Sequence, residues 1–220
     1  MKYKAVIFDL DGTLLNTLDD IGNAANQVLE NHGYLAVSID EYKTLIGNGA
    51  DNLMKSATSG AVDGEEKAKM VSEFKSLYSK TCTKCTYIYK GISELLDWLD
   101  DNNIKYAVLS NKPHELTVKI IQYYFPGRPF LAIIGESAGK PKKPDPSNAN
   151  QVIELFDCNA NEVIFLGDSD VDMKTANNAG AFPVGVLWGF RSSEELLDNG
   201  AAKLIEHPVN LLQVFQDDGC

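Results

Sequence analysis

Apolar runs too short to be helices recur at residues 5–8, 106–109, 131–134, 163–166 and 184–187, with a weaker one at 203–205. They are apolar throughout, and segments with apolar residues at helical spacing (92–99, 116–123, 149–156) separate most of them. A strand without polar alternation has to be covered on both faces, and strands that alternate with helices join as parallel neighbours. The pattern predicts an α/β fold built on a doubly wound parallel sheet.

Residues 15–81 break this rhythm. They carry helical patterns at 19–31 and 65–79 and no convincing strand, and Ile46-Gly47-Asn48-Gly49-Ala50-Asp51 reads as a turn feeding a further helix at 52–58. The expected organisation is a core of residues 1–14 and 82–220 with a small helical domain, 15–81, inserted as a cap.

The formal net charge of −11 opposes binding to nucleic acid or to anionic membranes, so an anionic substrate would need local positive charge. The start, Met1-Lys2-Tyr3-Lys4, leads into a run too short to span a bilayer and without a cleavage pattern, which points to the cytoplasm. Cys82 and Cys85 lack a second ligand pair for zinc, and with Cys158 and Cys220 they read as reduced thiols.

Chemistry is expected where parallel strands end, because ligands collect beyond their carboxyl ends. The first run ends in Asp9-Leu10-Asp11-Gly12, the second in Ser110-Asn111-Lys112, and the fourth in Gly167-Asp168-Ser169-Asp170-Val171-Asp172; a loop with Lys140, Lys142 and Lys143 follows the third. Asp9 and Asp11 project to the same side of an extended chain and repel each other. A hard cation compensates such a cluster, and oxygens of Asp9, Asp11 and Asp168 form the donor set that Mg2+ prefers. A serine hydroxyl and a lysine facing the same ion suit the outer oxygens of a phosphoryl group.

Asp9-Leu10-Asp11-Gly12-Thr13, Ser110-Asn111, Lys143-Pro144 and Gly167-Asp168-Ser169 with Asp172 resemble, in order, the four motifs of the haloacid dehalogenase-like superfamily, and the helical insert falls where its cap is inserted. The resemblance implies that Asp9 is the nucleophile, forming an aspartyl-phosphate, and Asp11 the general acid and base. It places magnesium on the Asp9 carboxylate, the Asp11 backbone carbonyl and Asp168, and the phosphoryl oxygens on Ser110 and Lys143, with Asn111 assisting through its backbone amide. Asp172 is expected to orient metal-bound water or Lys143. The second aspartate disfavours dehalogenation, and Thr13 favours hydrolysis over mutase chemistry. Gly47-Asn48-Gly49, with Ser110-Asn111-Lys112 and Gly91, is similar to the phosphoglycolate phosphatase-like branch, in which backbone amides of the cap turn would meet the substrate's far end. The expected substrate is a small anionic phosphorylated metabolite, 2-phosphoglycolate foremost, and the expected assembly a monomer or homodimer.

Rival readings are a pyrophosphatase, or a sugar-phosphate phosphatase or mutase, of the same superfamily. A non-catalytic phosphate-binding or receiver-like module is a rival of another class, although a receiver would lack so large an insert. Gly135-Glu136-Ser137-Ala138-Gly139 matches a nucleophile elbow, but Pro141, Pro144 and Pro146 exclude the helix that must follow the serine. Asp168 or Asp172 could cap the helix beginning beside them, Ser110 the next one, and His114 lies close enough to Lys112 to border the site.

Overall fold

The computed structural model describes residues 1–216. In chain order its elements are β1 (Ala5–Phe8), β2 (Leu15–Asn16), α1 (Leu18–Asn31), α2 (Tyr42–Leu45), α3 (Ala50–Ala57), α4 (Gly64–Thr81), β3 (Tyr87–Ile88), α5 (Ile92–Asp101), β4 (Lys105–Pro113), α6 (His114–Tyr124), β5 (Ile133–Glu136), α7 (Ser147–Phe156), β6 (Val163–Gly167), α8 (Asp170–Ala179), β7 (Phe182–Val186), α9 (Ser193–Asp198), β8 (Lys203–Ile205) and α10 (Leu211–Gln216).

Six of the strands form one parallel sheet in the order β5-β4-β1-β6-β7-β8. Alternate side chains of its three central strands enter different cores. Val6, Phe8, Tyr106, Val108, Ile164 and Leu166 pack on one face; Ala5, Ile7, Ala107, Leu109, Val163 and Phe165 pack on the other, against Val152 and Phe156 of α7 and Ala176 of α8. Both faces are dry, which is why these runs show no polar alternation. The chain adds β4 and β5 to one side of β1 and β6 to β8 to the other. The loops after β1, β4 and β6 therefore diverge around a crevice at the centre of the sheet edge.

Two strands sit off the predicted runs. β5 begins two residues later than expected, leaving Leu131 exposed, and β7 starts at Phe182 and includes Pro183. The expectation of no strand in 15–81 is corrected by β2, which pairs antiparallel with β3 on the far side of the insert. A two-residue strand whose partner lies so far along the chain has no local signature.

Helices α1 to α4 pack mainly on one another through Leu29, Met54, Met70 and Phe74, beside the larger core. Their two connections to the sheet are held together by the β2–β3 pair and by buried Asp20, whose carboxylate accepts from the backbone amides of Cys85 and Thr86 and from the Thr86 hydroxyl at 2.8–3.0 Å. No helix among the described residues is long and apolar enough to cross a membrane.

Candidate active site

Asp9 follows β1 directly, and its backbone amide still donates to the Leu166 carbonyl (2.9 Å), so β1 and β6 deliver Asp9 and Asp168 side by side. Oxygens of Asp9, Asp168 and Asp172 all lie within 4.8 Å of one another, and all three residues are buried. The Lys143 ammonium stands between two of them, 2.6 Å from Asp9 Oδ1 and 2.6 Å from Asp172 Oδ1. Asp172 Oδ2 accepts from the Ser169 hydroxyl and amide, closing the capping box that starts α8, so both of its oxygens are engaged. Asp168 accepts from the Phe190 amide at 2.7 Å and from the Thr13 hydroxyl at 3.4 Å. No buried polar side-chain atom of the described residues lacks a partner. Asp9 Oδ2 has no donor in reach and therefore lies open on the wall of the pocket that Asp9 lines.

This close approach is sterically demanding. Gly12 has φ +88°, and a Cβ there would lie 2.2 Å from Asp168 Oδ2. Only glycine lets the β1 loop turn against the β6 loop.

Three buried carboxylates face one ammonium, and the acidity of Asp9 and Asp168 shows the strain. Burial, then the Asp172 charge, raises Asp9 well above the usual carboxylate range against the opposing pull of Lys143. The same two causes push Asp168 up to about 7. Burial alone would lower Lys143, but Asp172 and Asp9 outweigh it and hold the ammonium charged. Residual negative charge on hard oxygen donors fits a divalent cation, with Asp9 keeping an open oxygen and Asp168 paired to no cation among the described residues, whereas Asp172 is already bound to the Lys143 ammonium and to Ser169.

The sign of the linkage follows. Without a cation, Asp168 binds more protons folded than unfolded between its ordinary 3.8 and about 7, so its contribution to stability falls as pH rises through that window and then levels off. A bound cation removes the penalty. Magnesium should therefore raise the Tm by more at about pH 7.5 than at about pH 5. Equal shifts at both pH values in differential scanning fluorimetry would contradict this.

Asp11 takes a different position. Its Oδ1 accepts from the Thr17 hydroxyl (2.7 Å) and pairs with Lys112 Nζ (2.7 Å), leaving Oδ2 unbonded toward the pocket. Lys112 also donates to the Tyr78 hydroxyl of α4 at 2.8 Å. Ser110 and Lys112 share the irregular end of β4, where the register with β5 shifts between Leu109 and Pro113. Such an irregularity re-aims successive side chains at the end of a strand.

A profile of the haloacid dehalogenase-like hydrolases matches residues 6–186. The chain belongs to this family. The phosphoglycolate phosphatase of Vibrio parahaemolyticus is 30% identical over 217 residues, covering 96% of this chain and 95% of its own. That of Vibrio cholerae is 31% identical over 199 residues, covering 88% of each. A solved structure from Lactobacillus delbrueckii subsp. bulgaricus, assigned as a candidate phosphoglycolate phosphatase, superposes with a TM-score of 0.89 at 30% identity, covering 97% of this chain and 98% of that one. A haloacid dehalogenase-like family protein from Streptococcus pneumoniae, at 20% identity and a TM-score of 0.86 over 98% and 99% of the two chains, shares the fold.

Within this family member, side chains and carbonyls of several expected site residues bind one another. The Asn111 side chain clasps the backbone of Lys143 (Nδ2 to its carbonyl, 3.0 Å; Oδ1 from its amide, 2.9 Å) and reaches the Gly47 carbonyl at 3.0 Å. It fixes the lysine and the cap turn to each other. The turn of Gly47-Asn48-Gly49 is held by its carbonyls: Arg191 donates to Ile46, Asn111 to Gly47 and Lys142 to Asn48. Gly47 and Gly49 line the pocket, and Asn48, whose carbonyl accepts from Lys142, does not. Gly49 has φ +85°, and a Cβ there would press on Glu136 Oε2 at 2.8 Å.

Ser110 lies on the pocket wall and caps no helix, since Pro113 occupies the cap position of α6. His114 is exposed and takes the Gly135 amide on Nδ1, away from the pocket. Ser137 is followed by a turn, so the elbow reading is excluded. Sequence reasoning missed Tyr78 and Arg191 as members of the pocket, and gave Lys112 a place at the strand end but no role. Only the place of Lys112 beside Ser110 carried a signal.

Proposed function

We propose that this protein is a magnesium-dependent phosphatase that hydrolyses a small anionic phosphomonoester, 2-phosphoglycolate, through an aspartyl-phosphate on Asp9. The observation that carries the reading is the open Oδ2 of Asp9, whose other oxygen is fixed by Lys143. The names of the curated relatives point to the substrate.

Asp9 Oδ2 attacks phosphorus while the bond to the leaving oxygen breaks, and Asp11 delivers the proton of its Oδ2 to that oxygen. Water then attacks the phosphoryl group, Asp11 takes its proton, and inorganic phosphate leaves with Asp9 regenerated. Lys143 and the Ser110 hydroxyl meet the oxygens on which charge builds. Asp172 positions Lys143, and Asn111 anchors that lysine's backbone. Asp9, Asp168 and the Asp11 backbone carbonyl would hold magnesium, which when bound neutralises charge on the phosphoryl group. Helices α1 to α4 act as the cap over residues 15–81, hinged where β2 pairs with β3, and close the pocket against water. Free thiols at Cys82, Cys85 and Cys158 agree with a cytoplasmic setting; Cys220 lies outside the described residues.

Phosphate release from 2-phosphoglycolate, pyrophosphate, sugar phosphates and nucleotides, with and without magnesium, tests the reading. Turnover of 2-phosphoglycolate should lead the panel and vanish with chelator. A preference for pyrophosphate, or full turnover after chelation, would contradict it.

A further inference from the structure

We infer that Lys112 forms a second anion site in the pocket, which takes the carboxylate of the substrate two bonds from the oxygen that leaves phosphorus. The inference rests on the reading above and deepens it. The Lys112 side chain is only 3% exposed, lines the pocket, and forms its one salt bridge among the described residues with Asp11, at 2.7 Å. Its second contact is a neutral phenol, because burial, then the Asp11 charge, raises Tyr78 well above its ordinary range. An ammonium has three donors, so one remains after Asp11 and Tyr78 are served.

Two arguments direct that donor to a carboxylate. The first is charge. The Lys112 ammonium is buried with a single carboxylate partner, and a remaining donor on a buried cation is best met by a second anion. A carboxylate on the substrate supplies that anion, while Lys143 remains committed to Asp9 and Asp172. The second is reach. In the mechanism above the leaving oxygen takes its proton from Asp11 Oδ2, and Lys112 is bonded to Asp11 Oδ1, so the ammonium lies within two hydrogen-bond lengths plus the width of one carboxylate of the leaving oxygen. A carboxyl carbon attached through one methylene falls in that interval; a neutral hydroxymethyl in its place leaves the charge unmet. The N-terminus of α3, with no side-chain cap and with Gly49 and Ala50 on the pocket wall, adds positive potential from the cap.

The test is affinity, measured by calorimetry with magnesium on Asp9→Asn protein, for 2-phosphoglycolate and for 2-hydroxyethyl phosphate, its uncharged counterpart. With Lys112 intact the carboxylate ligand should bind about 100-fold more tightly. Lys112→Met in the same background should bring the two affinities within a few-fold, and Lys112→Arg should restore part of the difference. Equal affinities with Lys112 intact would overturn the site without need of any variant. A preference that survives Lys112→Met in folded protein would overturn it as well, and would leave Lys112 a positioning residue for Asp11. Turnover by the unaltered enzyme separates the two claims: failure to hydrolyse either ester sinks the phosphatase reading, while the affinity ratio still decides the fate of the anion site.

Discussion

Asp9→Asn should reduce magnesium-dependent phosphate release by about 10⁴-fold or more while leaving the Tm equal to or above that of the unaltered protein. Loss of activity follows from removing the open oxygen, since an amide does not attack phosphorus. The stability result follows from the electrostatics. Burial and the neighbouring Asp172 make the ionised Asp9 side chain unfavourable where it stands, and Lys143 keeps Asp172 as a partner after the substitution. A site selected for chemistry stores such strain, and neutralising it returns stability at the expense of function. Circular dichroism with a melting curve and a phosphate assay reads both halves. A large loss of Tm would mean that the Asp9–Lys143 pair is structural, and appreciable turnover would remove Asp9 from the nucleophile role.

Lys143→Ala has the opposite signature, with loss on both axes. The side chain is 3% exposed and is the one cation within salt-bridge distance of Asp9 and Asp172 among the described residues. Its removal leaves three buried acids facing one another without an ammonium, and breaking a buried pair in this way costs about 3–5 kcal/mol of stability. Turnover should fall by about 10³-fold, because the group that orients Asp9 and meets the phosphoryl oxygens is gone. Lys142→Ala is the control. Lys142 pairs with Glu136 at 3.8 Å and holds the Asn48 carbonyl with a side chain one-third exposed, so its loss should loosen the cap turn and cost far less. If denaturant unfolding and kinetics show Lys142→Ala to be the more damaging change, the roles assigned to the two lysines are reversed.

The contrast between these neighbours shows what a sequence carries. The sheet was legible because strands dry on both faces must be apolar at every position, and residues 5–8 and 163–166 are. The acid cluster was legible because Asp9 and Asp168 stand at the ends of strands that pair in register, Phe8 opposite Leu166. Depth was not. Lys142 and Lys143 lie together in a run of basic residues, and although Pro144 and the family resemblance single out Lys143, neither shows the clasp from Asn111 and the carboxylates beneath that bury it. Lys112 carries no mark of having its charge enclosed.

The cap turn shows the same limit. Glycines ahead of a helix announce a tight turn, but not that Lys142, 94 residues away, would claim the Asn48 carbonyl. Arg191 reaches the Ile46 carbonyl across 145 residues. Long-range anchoring of backbone carbonyls leaves no local pattern, so the sequence located the turn without showing what holds it. β2 escaped notice for the same reason.

The most direct test of covalent chemistry at Asp9 is rapid-quench mass spectrometry of Asp11→Asn protein mixed with magnesium and 4-nitrophenyl phosphate, whose leaving group needs no proton, so that loss of Asp11 spares the first step, slows the second and lets the intermediate accumulate. One phosphoryl group on the peptide containing Val6 to Thr13, localised by fragmentation to Asp9, is the predicted result. Phosphate release without any phosphorylated peptide, or a phosphoryl group on another residue, would contradict the account.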